Sequence, residues 1–185
     1  MTDTTETPTD ATSPERADLL DTLHKHRGLF RVTVQGIDDE QARTRSTISE
    51  LTLGGLVKHV TAVEQDWARF VLEGPAPTPD VDWANIDWSN PPPEVSAYAD
   101  GFRMLEGESL SGLLQEYDAV AAATDDLVAT MDLAQPQPLP KAPWFEPGAA
   151  WSARRVFLHI VAETAQHAGH ADIIRETIDG QKSMG

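Results

Sequence analysis

Four side chains able to bind a metal or move a proton recur near the C-terminus: His159, Glu163, His167 and His170. Their offsets of zero, four, eight and eleven residues, at roughly 100° per residue, fall within an arc of about 80°, so a helix would carry all four on one face. Glu163 and His167 interrupt an apolar stripe made by Val156, Ile160, Ile174 and Ile178. Burying a carboxylate is costly unless it is paired or bound to a metal. His59 breaks a second stripe in the same way, beside Val60 and between Leu56 and Val63. Two imidazoles and a carboxylate from facing helices suit a site for one metal ion in a bundle core. The same spacing also admits a plainer reading. A histidine on an apolar face is commonly a hydrogen-bonded core residue, and Glu163 with His167 is also an i,i+4 helix contact worth on the order of a few tenths of a kcal/mol. Neither an H-E-x-x-H motif nor the paired Glu-x-x-His motifs of a di-iron bundle are present.

The elements that must position these groups are helical. Ser13-Pro14-Glu15 supplies an N-cap, a proline suited to the first helical position and an early acid, and Leu19, Leu20, Leu23, Phe30 and Val34 follow at helical spacing up to Gly36. Thr52 caps a second helix with Leu53, Leu56, Val60, Val63, Trp67 and Phe70 on its stripe, ended by Gly74-Pro75. Residues 74–107 contain Pro75, Pro77, Pro79 and Pro91-Pro92-Pro93, which exclude a long helix or a central strand. This long connection, which carries Trp83 and Trp88, is expected either to cross over between parallel neighbouring helices or to wall a pocket. A third helix runs from Leu110 to Met131. A Pro-rich loop from Pro136 to Pro147 then leads to Ser152, the cap of a fourth. No strand pair with clear alternation is apparent. The expected fold is therefore all-α, a four-helix bundle over residues 15–180, between a disordered acidic tail (1–14) and a short C-terminal tail (181–185).

Composition narrows the function. At 185 residues the chain suits one domain, and 14 Lys and Arg against 30 Asp and Glu give a formal net charge of −16. Such a surface repels phosphate backbones and anionic membranes, so no nucleic-acid or membrane partner is expected. No apolar run reaches the roughly 20 residues of a membrane span and no secretory signal is recognisable, so the expected location is cytoplasmic. There is no cysteine. Disulfides, thiolate ligands and a cysteine nucleophile are excluded together, and any thiol chemistry requires a thiol brought by a small molecule.

The run Leu56-Val57-Lys58-His59-Val60-Thr61-Ala62-Val63-Glu64 and the pattern His159-x-x-x-Glu163-x-x-x-His167-x-Gly169-His170-x-Asp172, with Arg175-Glu176 after it, resemble the DinB-like superfamily. The likeness is closest to a branch common in bacteria that use mycothiol, and it spans essentially residues 15–180. It implies a bundle that binds one divalent metal through a histidine of the second helix and two residues four apart on the last. Those positions fall on His59, Glu163 and His167. Many members carry histidine where this chain has Glu163, whereas the mycothiol-dependent maleylpyruvate isomerases carry glutamate. Two histidines and a carboxylate suit zinc with an open position; nickel, iron or manganese are further candidates. The resemblance gives His170 a supporting or substrate-binding role and makes His159 a reserve ligand.

The activity implied by the resemblance is metal-dependent S-transfer or isomerisation of a small electrophile with mycothiol, bacillithiol or a similar thiol as co-substrate. Arg154 and Arg155 are candidates to meet an anionic cofactor or substrate, and Trp67, Trp144 and Trp151 to line a pocket, although solvated arginines and core tryptophans are the ordinary case. A second class is metal-assisted hydrolysis with Glu64 or His170 as base; otherwise Glu64 reads as a solvated carboxylate. A third is a non-catalytic bundle that holds a metal or ligand. A homodimer through a helix face is compatible with all three.

Overall fold

Ser13 accepts a hydrogen bond from the Arg16 N–H, Pro14 takes the first helical position, and α1 runs Pro14–Val32. In the computed structural model, which describes residues 13–77, 91–140 and 145–183, the same device starts every long helix. Thr52 caps α3 (Leu53–Glu73), Ser109 caps α5 (Leu110–Thr130) and Ser152 caps α6 (Ala153–Asp179), each through an N–H three residues on. A hydroxyl there satisfies one of the backbone donors that a helix start leaves unpaired. Two short helices were not anticipated: α2 (Asp39–Arg43), closed by a reciprocal capping box between Asp38 and Gln41, and α4 (Pro93–Asp100), which begins at a proline inside the long connection. Of the acidic tail expected over 1–14, residues 1–12 lie outside the described residues, as do Trp83, Trp88 and Trp144, while Ser13 and Pro14 begin α1.

The loop reading of 136–147 needs correction at its edge. Pro136–Pro138 (β1) pairs antiparallel with Ala150–Ser152 (β2), Gln137 opposite Trp151. Three residues are too few for alternation to register in a sequence, and two prolines among them argue against a strand. The ladder survives because it has only two strands, so an N–H missing from one edge costs nothing. Its consequence is positional, since it fixes Trp151 at the head of α6.

The four long helices form a ring in which α6 packs on α1 and α3, and α5 packs on α3 and α1. Their directions follow from two apolar clusters. One gathers Phe30, Leu53, Leu56, Val57, Val60, Leu113, Tyr117 and Ile174; the other gathers Leu19, Leu23, Phe70, Val71, Val128, Val156, Phe157 and Ile160. Each cluster joins the starts of α3 and α5 to the ends of α1 and α6, or the reverse. So α3 and α5 run parallel, and α1 and α6 run against them. The long connection joins parallel neighbours, and the architecture is all-α, as the sequence patterns imply, in a bundle of the DinB-like type that the resemblance implies.

Between the two clusters every long helix contributes a buried polar residue: Arg27, Glu64, Thr124 and Thr164, from 0 to 5% exposed. The two charges answer each other. Arg27 Nη2 donates to Glu64 Oε1 at 2.5 Å and Nε to Oε2 at 3.3 Å, while Nη1 reaches Asp125 at 2.7 Å. Burial lowers the guanidinium's affinity for its proton, but Glu64 and Asp125 more than restore it, and its pKa ends above the ordinary value. Removing one partner of such a pair strands a charge. Glu64→Leu and Arg27→Met are each expected to cost roughly 3–5 kcal/mol in urea unfolding, and the double variant much less than the sum of the two. Simple additivity would show that the pair is not coupled.

Candidate metal centre

Helices α3 and α6 run antiparallel, so a rising register on one meets a falling register on the other. Two rungs mark the alignment. The His59 ring meets the His167 ring edge-on at 4.7 Å, and the Trp67 ring meets the His159 ring edge-on at 4.8 Å. Glu163 lies between them on α6. One donor atom each from His59, Glu163 and His167 falls within 4.8 Å of the others, so the residues that broke the two apolar stripes do come together. Donors around a tetrahedral zinc with bonds of about 2.0–2.1 Å lie roughly 3.3 Å apart, so small side-chain rotations would close the set.

The plainer reading is met in part: Glu163 makes i,i+4 contacts with His159 Nε2 at 3.4 Å and His167 Nε2 at 3.6 Å, longer than an ordinary hydrogen bond. Among the described residues no hydrogen bond reaches either ring nitrogen of His59; the ring is held by stacking on Phe102 at 4.2 Å. A half-buried imidazole positioned by its faces, with no hydrogen bond to its nitrogens among the described residues, is a candidate ligand. His167 and His170 share a long hydrogen bond between their Nδ1 atoms at 3.4 Å.

Phe102 is a site residue that sequence reasoning missed. Its placement depends on Gly54 and Gly55 in the first turn of α3. A Cβ on Gly55 would lie 2.1 Å from the Phe102 carbonyl oxygen, and one on Gly54 would lie 2.6 Å from Met104 Sδ. The glycine pair lets residues 101–104 press against the helix and lay Phe102 over His59. Two adjacent glycines in an otherwise apolar helix start were the available signal, since glycine there is unfavourable unless another backbone must approach.

Other expectations sort differently. Glu64 is not a solvated carboxylate and does not join the histidines. It is 1% exposed, and both its oxygens are engaged by Arg27. Five residues after His59, it lies about 140° around α3 from it, and a carboxylate held by a guanidinium inside the core is unsuited to collecting a proton from a reacting group. Arg154 is engaged by Glu15 of α1, whereas the Arg155 guanidinium stacks on the Trp151 ring at 4.2 Å. Trp151 stacks in turn on Trp67 at 5.0 Å, and its edge contacts the His159 ring. Arg175 of the C-terminal motif is structural: buried, it donates to the carbonyls of Thr33 and Gln35 and ties α6 to the end of α1.

Burial is the main influence on the imidazoles. It pulls His59 and His167 below the ordinary 6.5, with each also disfavoured as a cation by another histidine, while Glu163 opposes the shift; His159 moves the same way through burial. At neutral pH the candidate ligands are therefore the neutral, donor-competent form. On unfolding, each returns to 6.5 and takes up protons more readily than the folded chain. The stability linked to these histidines is thus intact above 6.5 and is lost as pH falls through 6.5 towards their folded values. Titration of the imidazole resonances of metal-free protein should give midpoints for both residues below 6.5; midpoints above it would contradict the burial argument. Gly55→Ala is expected to cost roughly 1–3 kcal/mol by overpacking and to shift the His59 resonances, both measurable on the same samples.

A model of the family described as Mycothiol-S-transferase matches residues 18–180. No curated protein matches the chain. A solved structure described as the conserved protein of locus from Enterococcus faecalis superposes with a TM-score of 0.59, covering 89% of this chain and 97% of that one at 16% identity, a likeness of fold alone. The matched span runs from within α1 to the end of α6 and so takes in the whole ring of helices together with His59, Glu163 and His167. The chain belongs to the mycothiol S-transferase family.

Proposed function

We propose that the protein is a metal-dependent S-transferase that joins a low-molecular-weight thiol of the mycothiol type to a small electrophile. The observation that carries the reading is the convergence of one carboxylate and two imidazoles from α3 and α6 in a chain that has no cysteine of its own and belongs to a thiol-transferase family. His59, Glu163 and His167 would hold the ion, zinc being the first candidate and nickel, iron or manganese the others. A divalent ion at such donors supplies the positive charge that favours thiolate over thiol at neutral pH.

The chain's own residues supply the rest. His59 and His167 stay neutral because burial disfavours their protonated forms, so protons do not compete for the donor set near pH 7. Phe102 covers one face of His59 and keeps water from it. When sulfur attacks the electrophilic carbon, the C–S bond forms as the S–H bond is lost and either a π bond of the electrophile opens or its leaving group departs with the electron pair. His170, beside His167 and only partly buried, would accept the thiol proton and return it to the atom that takes that electron pair. Trp67 and Trp151 present an apolar wall next to His159 for the body of the electrophile.

Elemental analysis of tag-free protein tests the site, and thiol dependence tests the reaction. Near one divalent metal per chain is expected, lost in His59→Ala and in His167→Ala while helicity by circular dichroism remains. His170→Ala should keep the metal and lose turnover about 10²-fold. Transfer that proceeds at full rate without any thiol would point to metal-assisted hydrolysis, and protein that takes up no metal even after incubation with candidate ions would overturn the reading.

A further inference from the structure

The proposed function leaves the electrophile without a description beyond its size. The two consecutive arginines at the head of α6 are treated differently by the fold. Arg154 turns towards α1 and is neutralised by Glu15. Arg155 is exposed and, although acids outnumber bases 30 to 14, has no ion pair or side-chain hydrogen bond among the described residues; its one contact is the Trp151 ring at 4.2 Å. A guanidinium carbon over an aromatic face uses none of the group's N–H donors, which stay available as a fork. Trp151 is itself fixed, by β2 and by its stack on Trp67.

The location relates this fork to the candidate metal centre. Arg155, His159 and Glu163 succeed each other at four-residue intervals, so the guanidinium stem leaves α6 one turn before His159 and two turns, about 12 Å along the axis, before Glu163. The indoles of Trp67 and Trp151 lie along the same stretch, their edges against His159.

We infer that Arg155, held on Trp151, is the anchor for an anionic group of the electrophile, so the substrate class is a small acid, a carboxylate or similar oxyanion on a flat apolar body. The carboxylate is received by the guanidinium fork and the body lies along the indole pair towards His159. This deepens the proposed function and rests on it for the word electrophile. The anion site itself needs neither metal nor thiol, and its test is arranged accordingly.

The probe pair is benzoate and benzamide, equal in shape and different in charge, titrated into full-length protein at low ionic strength and followed through the Trp151 indole and Arg155 Nε–H resonances. Benzoate is expected to move both and to bind about tenfold tighter than benzamide, the worth of one charge-assisted contact at an exposed site. Arg155→Gln should bring the two to parity, Arg155→Lys should retain part of the preference, and added salt should reduce it. The metal-free His59→Ala variant should keep the full preference. If that variant and the native protein both prefer benzoate while no metal or thiol dependence exists, the proposed function fails and the anion anchor stands. Equal affinities in native protein, no response at Trp151, or a preference that survives Arg155→Gln would each overturn the inference.

Discussion

The buried Arg27–Glu64 pair is the interaction on which the rest of the arrangement depends. Two charges in a core are tolerable only with their partners in place, and the guanidinium fork demands a particular orientation of the carboxylate. Glu64 on α3 must therefore face Arg27 on α1, and Arg27 must also reach Asp125 on α5. That single requirement sets the rotation of α3. With Glu64 turned into the ring, a residue about 140° around the helix is directed elsewhere, and the structure shows where: His59 meets His167 on α6. Apolar packing alone would not specify this, because Leu, Val and Ile side chains at neighbouring positions tolerate small rotations and sliding that a bidentate ion pair does not. Thr124, which bonds the Val120 carbonyl of its own helix, and Thr164 complete the layer between the two apolar clusters.

Translation along the axis has separate determinants. Lys58, next to His59, pairs with Glu108 at the head of α5, whose other oxygen accepts the N–H of Leu105. Burial works against the Glu108 carboxylate, but Lys58 and that backbone donor together hold it below the usual range. The segment between α4 and α5 is thereby fastened to α3 beside the site, and the glycines of the first turn let it come close enough for Phe102 to stack on His59. At the same end of the bundle Arg175 binds α6 to the end of α1. Two helices locked in rotation by a core ion pair and in height by terminal contacts are what three donors need if they are to stay within a few ångströms of one another.

Much of this was legible from the sequence where a local rule governed it. Ser13, Thr52, Ser109 and Ser152 start helices because a hydroxyl before an apolar stripe satisfies the same orphan donors in any fold, and His59, Glu163 and His167 were visible because each violates the periodicity around it. What escaped depended on partners distant in sequence. Glu64 reads as a surface acid until Arg27, 37 residues earlier, is known to face it. Phe102 carries no signal of its own, since its role comes from a backbone approach that only Gly54 and Gly55 permit. The β1–β2 ladder is three residues long and includes two prolines, so it arises from closing the loop and not from strand propensity. Tandem Arg154 and Arg155 are equivalent in the sequence and distinct in the structure, because Glu15 lies within reach of only one of them.

Charge balance connects the donor set to the proposed chemistry. Two neutral imidazoles and one carboxylate carry a total of −1, and a divalent cation among them leaves +1 in surroundings where His167 is 12% and Glu163 28% exposed at the side chain. A residual charge so placed is unfavourable unless an anion accompanies it. A set of three histidines would leave +2 and one of two carboxylates would leave none, so the composition with Glu163 favours a single anionic partner. The chain has no cysteine to provide a thiolate, so under the proposed reaction the sulfur anion would come with a co-substrate. A thiolate meets that need more readily than water, which must first lose a far less acidic proton. On this argument the substitution of glutamate for histidine at position 163 is a choice of charge as much as of ligand. It would suit the proposed reaction, in which one anion comes from a thiol at the candidate metal centre and recognition of a second is left to Arg155.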